Sequence, residues 1–392
     1  MNSIYLDHSA TTPLDGEVLK KMMPYFSEIF ANASSMHSQG QKAAEAIEEA
    51  RLQVAGLINA SPSEIIFTSG GTESDNLAIR GLFLRLCPEK NEIITSAIEH
   101  HAVLHTVQDL EKHYGAKAIY LPVDGKGRVN PADVEKAITS KTSLVSIMMA
   151  NNEVGTIEPI EEIARICKLR GVAFHTDAVQ AIGKIPVDVK ALGVDLLSMS
   201  AHKFYGPKGV GALYVKKGIR LNPVMTGGSH ERSLRSGTYN TPGIVGMGWA
   251  TKIAKDKLSW HMEYTAMLRD ALQKRIFDEI PDVFVNGDEE NRLPQLLNIS
   301  IKFAEGESML MFLDMDGNIQ ASSGSACTSK SLAASHVLNA MCIPHEFING
   351  SIRFSFGKDN TMDHVDKVMA IFPQIVKKLR EMSAIGPDKP AR

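Results

Sequence analysis

"TSLVSIMMANNEVGTIEPIEEIARICKLRGVAFHTDA" (residues 142–178) contains two apolar runs separated by a segment with helical periodicity. The runs at 142–150 and 172–178 are mainly apolar, as is typical of strands buried on both faces of a parallel sheet. Between them, apolar residues recur every three to four positions, as they do on one face of a helix. This stretch therefore predicts a strand, a helix and a second strand of the same sheet.

The same alternation continues on both sides of this stretch. Further buried strands are predicted at 64–69, 91–97, 117–123, 195–201 and 209–215, and the earlier ones are followed by helical segments. We therefore predict the α/β class, with a mainly parallel sheet covered on both faces in a large domain. In such sheets, ligands bind at the carboxyl ends of the strands.

The alternation of strands and helices ends at about residue 240, where a long helical pattern is followed by strands and helices in a different order. A chain of 392 residues also exceeds the usual size of one compact core. We predict a large domain at 15–255 and a smaller α+β domain made of 1–14 and 256–392.

Composition excludes several classes of function. The net charge is -3, which gives no general attraction for nucleic acid or for anionic membranes. Four scattered cysteines form no CxxC pair, and the amino terminus resembles neither a signal peptide nor a transit peptide. No apolar run approaches the length that spans a bilayer. We therefore expect a cytoplasmic protein that binds neither nucleic acid nor membrane directly.

Three polar motifs follow predicted strands. "SGGT" at 69–72 could hold a phosphate at a helix amino terminus, or could be a plain turn with Thr72 as the helix cap. Asp177, with Gln180 three residues later, could likewise be only a cap. Lys203, in "SAHKFYG", could be a surface charge or a Schiff-base nucleophile. Together the three motifs supply the groups that hold pyridoxal phosphate.

At this point the chain resembles the cysteine desulfurases of the NifS/IscS type, which are fold-type-I pyridoxal-phosphate enzymes. Nine motifs carry the resemblance and cover nearly the whole chain. In chain order they are "YLDHSATTPLD", "SGGTESDN", "IEHHAV", "ANNEVGT", "HTDAVQ", "SAHKFYGPKG", "GGSHERSLRSGT", "SSGSACTS" and "GSIRFSFG".

The resemblance implies a role for each residue that matches a family motif. Lys203 would bind the cofactor aldehyde, Asp177 would pair with the pyridinium nitrogen, and Arg353 would bind the substrate carboxylate. The remaining cofactor contacts would come from Gly71, Thr72, Asn152, Gln180, Ser200 and His202, with Thr238 reaching the phosphate from a second subunit. Asn152 would also help to place the substrate. A homodimer is therefore expected.

His100, in "IEHHAVLH", is implied to stack on the cofactor ring and to act in proton transfer. His100, His101 and His105 could instead be metal ligands, but no carboxylate or cysteine completes a set, and we expect no metal. His101 and His105 are then expected to be surface or packing residues. Cys87, Cys167 and Cys342 match no motif, so packing is their expected role.

Cys327 lies in "SSGSACTSKS" (322–331), a run of small polar residues that predicts a loop able to carry a reactive thiol in and out of a site. The resemblance implies that Cys327 takes sulfur from L-cysteine as a persulfide, leaving L-alanine. The long serine-rich form implies delivery to another protein, such as an iron–sulfur scaffold or a relay for tRNA thiolation.

Three alternatives stay open at this point. A selenocysteine lyase and an aminotransferase can share the fold, although an aminotransferase has no need of Cys327. A non-catalytic paralogue could keep the fold as an interaction subunit. The chain also departs from the family pattern at His8, Ala33 and Ser229, which leaves the role of His8 open.

Overall fold

The computed structural model describes residues 3–323 and 335–383. Cys327 lies outside these residues. The strands are β1 Ile4–Tyr5, β2 Ile65–Thr68, β3 Glu92–Ser96, β4 Lys117–Leu121, β5 Thr142–Ser146, β6 Ala173–Asp177, β7 Leu196–Ser200, β8 Gly211–Val215, β9 Val283–Val285, β10 Leu296–Ile301, β11 Ile319–Gln320 and β12 Ser351–Ser355.

Helices connect most of these strands. They are α1 Gly16–Met22, α2 Pro24–Ser27, α3 Ser38–Leu57, α4 Gly71–Leu86, α5 His101–Tyr114, α6 Pro131–Ala137, α7 Ile160–Arg170, α8 Val189–Leu192, α9 Thr241–Asp256, α10 Leu258–Glu279, α11 Gly306–Gly317, α12 His336–Ala340, α13 His345–Ile348 and α14 Met362–Met382. None of the helices in the described residues is long and apolar enough to cross a membrane.

A seven-stranded sheet in the order β2-β8-β7-β6-β5-β3-β4 forms the centre of the molecule. The neighbours from β7 to β4 are parallel, and β8 runs antiparallel to both β2 and β7. The α/β class with a mainly parallel sheet is therefore confirmed. Because β2 runs in the same direction as the parallel strands, six strands end at one edge, here called the carboxyl edge.

Apolar side chains cover both faces of this sheet. On one face, Leu144 and Leu196 pack with α4 and α5, and on the other, Val145 and Phe174 pack with α3, α7 and α9. Strands of alternating burial would have an exposed face, but β2, β3, β5, β7 and β8 are buried at every position. The apolar runs in the sequence reflect this double burial.

The carboxyl-terminal part forms a separate antiparallel sheet, β12-β10-β9, packed with α10, α11 and α14. The amino terminus joins this part, because β1 pairs with β11 and Ile4 and Leu6 lie in the same apolar cluster. These contacts agree with grouping residues 1–14 with 256–392, and the boundaries themselves stay a prediction.

Candidate active site

The carboxyl edge brings together side chains that are far apart in the sequence. Asp177 is the last residue of β6, and Lys203 ends a 3-10 turn, Ala201–Lys203, that directly follows β7. His100 precedes α5, four residues after β3 ends. Lys203 lies near both: burial raises the pKa of Asp177 and the charge of Lys203 opposes this, whereas burial lowers the pKa of His100 and the charge of Lys203 lowers it further.

A glycine turn joins β2 to α4 at this edge. Gly70 has a φ of 156°, and a Cβ on Gly71 would lie 2.7 Å from Cγ2 of Val179 and 3.6 Å from Cβ of Ser200. A side chain at residue 71 would therefore fill the space where α4 begins. Thr72 lies exposed in the first turn and is not the helix cap, because Gly70 holds that position. The turn thus places backbone without side chains at the amino terminus of a helix, which is the kind of turn that binds phosphate.

The segment at 9–12, which we call the amino-terminal strap, crosses over the lysine. Nζ of Lys203 donates to the carbonyl oxygens of Ser9 at 2.6 Å and Ala10 at 2.8 Å. Nε2 of Gln180 donates to the same Ser9 oxygen at 2.9 Å, and Nδ1 of His202 is bonded to Oγ1 of Thr11 at 3.0 Å. The strap thus aligns three predicted cofactor residues.

Asp177 is a buried carboxyl group with a single short backbone contact. Its Oδ1 accepts from the backbone N–H of Val179 at 2.9 Å, in a turn that does not continue into a helix. Burial raises the pKa of Asp177 to about 6, against the opposing effects of that N–H and of Lys203. A cation placed beside this carboxyl group would replace lost hydration and keep it ionised.

His100 caps α5 through its ring. Its Nδ1 accepts from the backbone N–H of Ala102 at 3.1 Å, so the neutral ring must carry its proton on Nε2. Burial, followed by the charge of Lys203, lowers the pKa of His100 to about 4. His100 is therefore a neutral N–H donor at neutral pH. His101 stacks on His105, with ring centroids 4.8 Å apart.

Arg353 extends from β12 toward the loop after β5. Its guanidinium donates to the carbonyl oxygen of Asn152 at 2.7 Å and to Oδ1 of Asp7 at 2.7 Å, and its side chain is 3% exposed. The backbone of Arg353 is paired with Ser322, two positions before the segment 324–334 that contains Cys327. Arg353 thus links the carboxyl-terminal sheet to the large sheet.

The residues on both sides of 324–334 are held beside this arginine. Ser322 pairs with Arg353, and after the gap Oγ of Ser335 donates to Oε2 of Glu153 at 2.6 Å. His336 then contacts the carbonyl oxygen of Glu99 at 2.9 Å. Both ends of the segment that contains Cys327 therefore lie next to residues of the carboxyl edge.

The other cysteines differ from one another. Burial raises the pKa of the Cys167 thiol to about 12, which fits its expected packing role. Cys87 is half-buried. For Cys342 the packing interpretation is wrong, because the residue is exposed in a left-handed turn with a φ of 57° after α12.

Ser200 and Thr238 complete the set of predicted site residues. Ser200 ends β7 and is buried against the glycine turn, 3.8 Å from where a Cβ on Gly70 would lie. Thr238 is exposed, three residues after Arg235, which forms an ion pair with Glu73 in the first turn of α4. Its predicted contact is with a second subunit.

Comparison with known proteins agrees with this geometry. The family described as "Aminotransferase class-V" matches residues 4–368. "Cysteine desulfurase IscS" of Dictyoglomus turgidum is 50% identical over 380 residues, covering 97% of this chain and 96% of that protein. The chain belongs to the class-V aminotransferase family, among the cysteine desulfurases. Members of this family depend on pyridoxal 5'-phosphate.

Other cysteine desulfurases and solved structures extend the likeness. "Cysteine desulfurase IscS" of Methanosarcina thermophila is 49% identical over 387 residues, covering 99% of this chain and 95% of that protein. The structure titled "NIFS-LIKE PROTEIN" has a TM-score of 0.88 at 39% identity, covering 97% of this chain and 99% of that one. "SspA in complex with cysteine" has a TM-score of 0.81 at 38% identity, with 90% and 99% covered.

The residues of the carboxyl edge fit the cofactor of the cysteine desulfurases. A phosphate needs a turn without side chains at a helix amino terminus, which Gly70 and Gly71 provide. A protonated pyridine nitrogen needs a buried carboxylate, which Asp177 provides. The aldehyde needs a primary amine at the same edge, which Lys203 provides. Nothing in this donor set conflicts with pyridoxal phosphate.

Sequence reasoning missed a buried lysine behind this site. Lys184 is 3% exposed, and its Nζ has no hydrogen-bond partner among the described residues. The ammonium lies 4.9 Å from the ring centroid of Tyr205, and the rings of His8 and His261 flank the same tyrosine. Only the fold brings these four residues together, so no local motif could have indicated them.

Replacing Lys184 with methionine should stabilise the protein at neutral pH. Burial, helped by the charge of Lys203, lowers the pKa of Lys184 to about 7, whereas an unfolded lysine has a pKa of about 10.4. The unfolded state therefore binds more protons than the folded state between these two pKa values. The free-energy penalty of burying the charged amine is full below about pH 7 and disappears above about pH 10. Lys184→Met should raise the free energy of unfolding by about 4 kcal/mol at pH 7.

Urea unfolding at pH 7 and pH 10 measures this effect. Lys252→Met is the matched control, because Lys252 also lies over an aromatic ring, 4.8 Å from the centroid of Trp249, but is exposed. The control should change little at either pH. Equal stabilisation by Lys184→Met at both pH values would contradict the buried, unpaired amine.

Proposed function

We propose that this protein converts L-cysteine to L-alanine and retains the sulfur as a persulfide on Cys327, in a pyridoxal-phosphate-dependent reaction. One observation carries the proposal: both ends of the segment containing Cys327 lie beside Arg353 and the loop of Asn152, at the edge that also holds Lys203. Relatives named cysteine desulfurase and a structural neighbour titled as a complex with cysteine support the choice of substrate.

Substrate binding and proton transfer follow from the side chains. Arg353 offers a planar, buried guanidinium to the substrate carboxylate, and Asn152 lies beside it. The Lys203 amine, held at the carboxyl edge by the strap, takes the α-proton. When bound, pyridoxal phosphate supplies the electron sink for the charge left at the α-carbon. Asp177 would stay ionised as the partner of the ring nitrogen, and His100 holds a proton at Nε2.

The atoms and electrons of the sulfur-transfer step balance, so the step needs no external oxidant. The Cys327 thiolate attacks the substrate sulfur, so that a sulfur–sulfur bond forms as the carbon–sulfur bond of the substrate breaks. The electron pair of the broken bond stays with carbon, which then takes a proton to give alanine. A reductant later releases the outer sulfur as sulfide.

The test of this function is a product balance. Holoenzyme incubated with L-cysteine and a thiol reductant should release alanine and sulfide in equal amounts. Alanine without sulfide would exclude the persulfide route. Selenocysteine as the preferred substrate would favour the selenocysteine lyase alternative, and product formation of any kind argues against a non-catalytic paralogue.

Arg353→Lys should weaken substrate binding more than it slows turnover. A lysine cannot bind a carboxylate through two parallel N–H groups, so KM for cysteine should rise by about tenfold or more. Arg275→Lys is the control, because Arg275 forms its ion pair with Asp366 on the outer helices. Steady-state kinetics separate the two parameters. An unchanged KM would remove Arg353 from the substrate site.

The homodimer is supported by an exposed apolar patch on α2 and the residues near it. Phe26, Phe30 and Met36 are 58%, 74% and 92% exposed, which is unusual for large apolar side chains. Oγ of Ser34 lies 3.5 Å from Nε2 of His230, so the patch adjoins the segment that contains Thr238. A second copy covering this patch would bring its Thr238 toward the site. Sedimentation measurements test the dimer.

The sulfur acceptor is a protein in this proposal, either an iron–sulfur scaffold or a relay for tRNA thiolation. The cysteine desulfurase relatives named IscS are consistent with iron–sulfur assembly. A cytoplasmic location fits the unpaired state of Cys87, Cys167 and Cys342, since thiols persist in a reducing compartment.

A further inference from the structure

Three buried carboxyl groups lie beneath the carboxyl edge, and we call them the carboxyl layer. Asp75 of α4 is 1% exposed, Glu99 before α5 is 0% exposed, and Asp177 of β6 is 6% exposed. Each is close enough to another that its negative charge would raise the pKa of the neighbour. Three negative charges cannot share such a volume, so protons must neutralise some of them.

Within residues 3–323 and 335–383, no cation pairs with Asp75 to balance a negative charge. Its Oδ1 has no hydrogen-bond partner among the described residues and lies 3.6 Å from Nε2 of His175. Burial lowers the pKa of His175 to about 3, so this ring is neutral at neutral pH. Asp177, by contrast, accepts from the N–H of Val179 and feels the charge of Lys203. The negative charge therefore belongs on Asp177.

A neutral Asp75 suits the groups around it. Its buried Oδ1 has no hydrogen-bond partner among the described residues, so a carboxylate there would lack the donors that stabilise a negative charge. The neighbouring ring of His175 is already engaged, with its Nε2 3.0 Å from Oγ of Ser198 and its Nδ1 2.8 Å from Oγ of Ser146. An ionised Asp75 would instead place a second anion beside Asp177.

We propose that Asp75 is a positioning residue that carries a proton in the working protein, so that Asp177 can stay ionised. This inference rests on the role of Asp177 in the proposed function. If Asp75 were ionised, repulsion would drive a proton onto Asp177. The pairing that keeps the cofactor ring nitrogen protonated would then be lost, and with it the electron sink.

Infrared difference spectroscopy of the holoenzyme at pH 7.5 tests the proton directly. The spectrum of the unaltered protein minus that of Asp75→Asn should show the C=O stretching band of a carboxylic acid. Asp109→Asn is the matched control, because Asp109 is an ion-paired surface carboxylate on α5. Its difference spectrum should show only a carboxylate band. A carboxylate band in the Asp75→Asn difference would overturn the proposal.

A pH titration of the visible absorbance of the bound cofactor gives a second readout. The acid-side midpoint reports Asp177, and Asp75→Asn should leave it within about 0.3 units because a neutral acid is replaced by a neutral amide. An ionised Asp75 predicts a downward shift of about one unit or more, because a repelling charge is removed. A purely structural role would also leave the midpoint unchanged, and the infrared band of the carboxylic acid separates that case from a protonated Asp75.

Two further experiments separate a failure of this proposal from a failure of the proposed role of Asp177. If Asp75→Asn does not fold, carbon NMR of unaltered protein labelled at aspartate carboxyl carbons replaces it. One aspartate should then show the protonated shift at pH 7.5, and its absence would reject the proposal. If Asp177→Asn retains the cofactor and its spectrum, the proposed role of Asp177 fails, whereas the protonation state of Asp75 is still measured.

Discussion

Lys203→Ala should abolish alanine and sulfide formation, with a loss of about 10⁴-fold or more, because the nucleophile for the cofactor and the base for the α-proton are removed together. The change should leave the fold intact. Nζ of Lys203 donates to the strap carbonyls of Ser9 and Ala10, which can bind water when the amine is absent. Borohydride treatment should fix the cofactor to the unaltered protein but not to Lys203→Ala.

Lys208→Ala is the control for this change, because Lys208 is exposed in the same glycine-rich stretch. It should keep its yellow colour, its borohydride-fixed cofactor and its activity. Mass spectrometry of the fixed peptide identifies the modified lysine. Fixation at a lysine other than Lys203, with activity retained in Lys203→Ala, would refute the assigned nucleophile.

Cys327→Ser should keep the cofactor and its absorbance but lose sulfur transfer by about 10³-fold or more, because a serine hydroxyl is not ionised at neutral pH and cannot attack sulfur. The cofactor groups lie on other elements, so cofactor binding should be unaffected. Mass spectrometry after incubation with L-cysteine, without reductant, should find one added sulfur on the Cys327 peptide.

Cys342→Ser is the matched control for this variant, since Cys342 is the exposed cysteine of the described residues. It should retain full turnover and the persulfide on Cys327. Full turnover by Cys327→Ser would show that another thiol carries the sulfur.

The sequence predicts the sheet because its strands are buried on both faces. Such strands lack the regular alternation of apolar and charged residues, so "TSLVSIMMA" and "VAFHTDA", which carry apolar residues at neighbouring positions, differ from the helix between them. The reversed direction of β8 could not be predicted in this way, because its apolar pattern is the same in either orientation. The direction of β8 follows instead from the short connection between Ser200 and Gly211, which leaves no room for a crossover helix.

The site was predictable where a residue ends a strand and not where the fold alone creates a contact. Asp177 and Lys203 follow apolar runs, and the family motifs cover both. The ion pair between Arg353 and Asp7 joins residues 346 positions apart, so no short stretch of sequence indicates it. The same is true of Lys184 behind Tyr205 and of Asp75 beside His175, because each pair meets only across the packed sheet or its edge.

The amino-terminal strap has a practical consequence for protein engineering. The first dozen residues supply two acceptors for Lys203 and one for Gln180, and Asp7 just before the strap is an ionic partner of Arg353. A deletion that trims this end would disturb the cofactor side and the substrate side at once. Affinity tags therefore belong on the carboxyl-terminal side or on a long amino-terminal spacer, and chimeras should keep this end and Arg353 from the same parent.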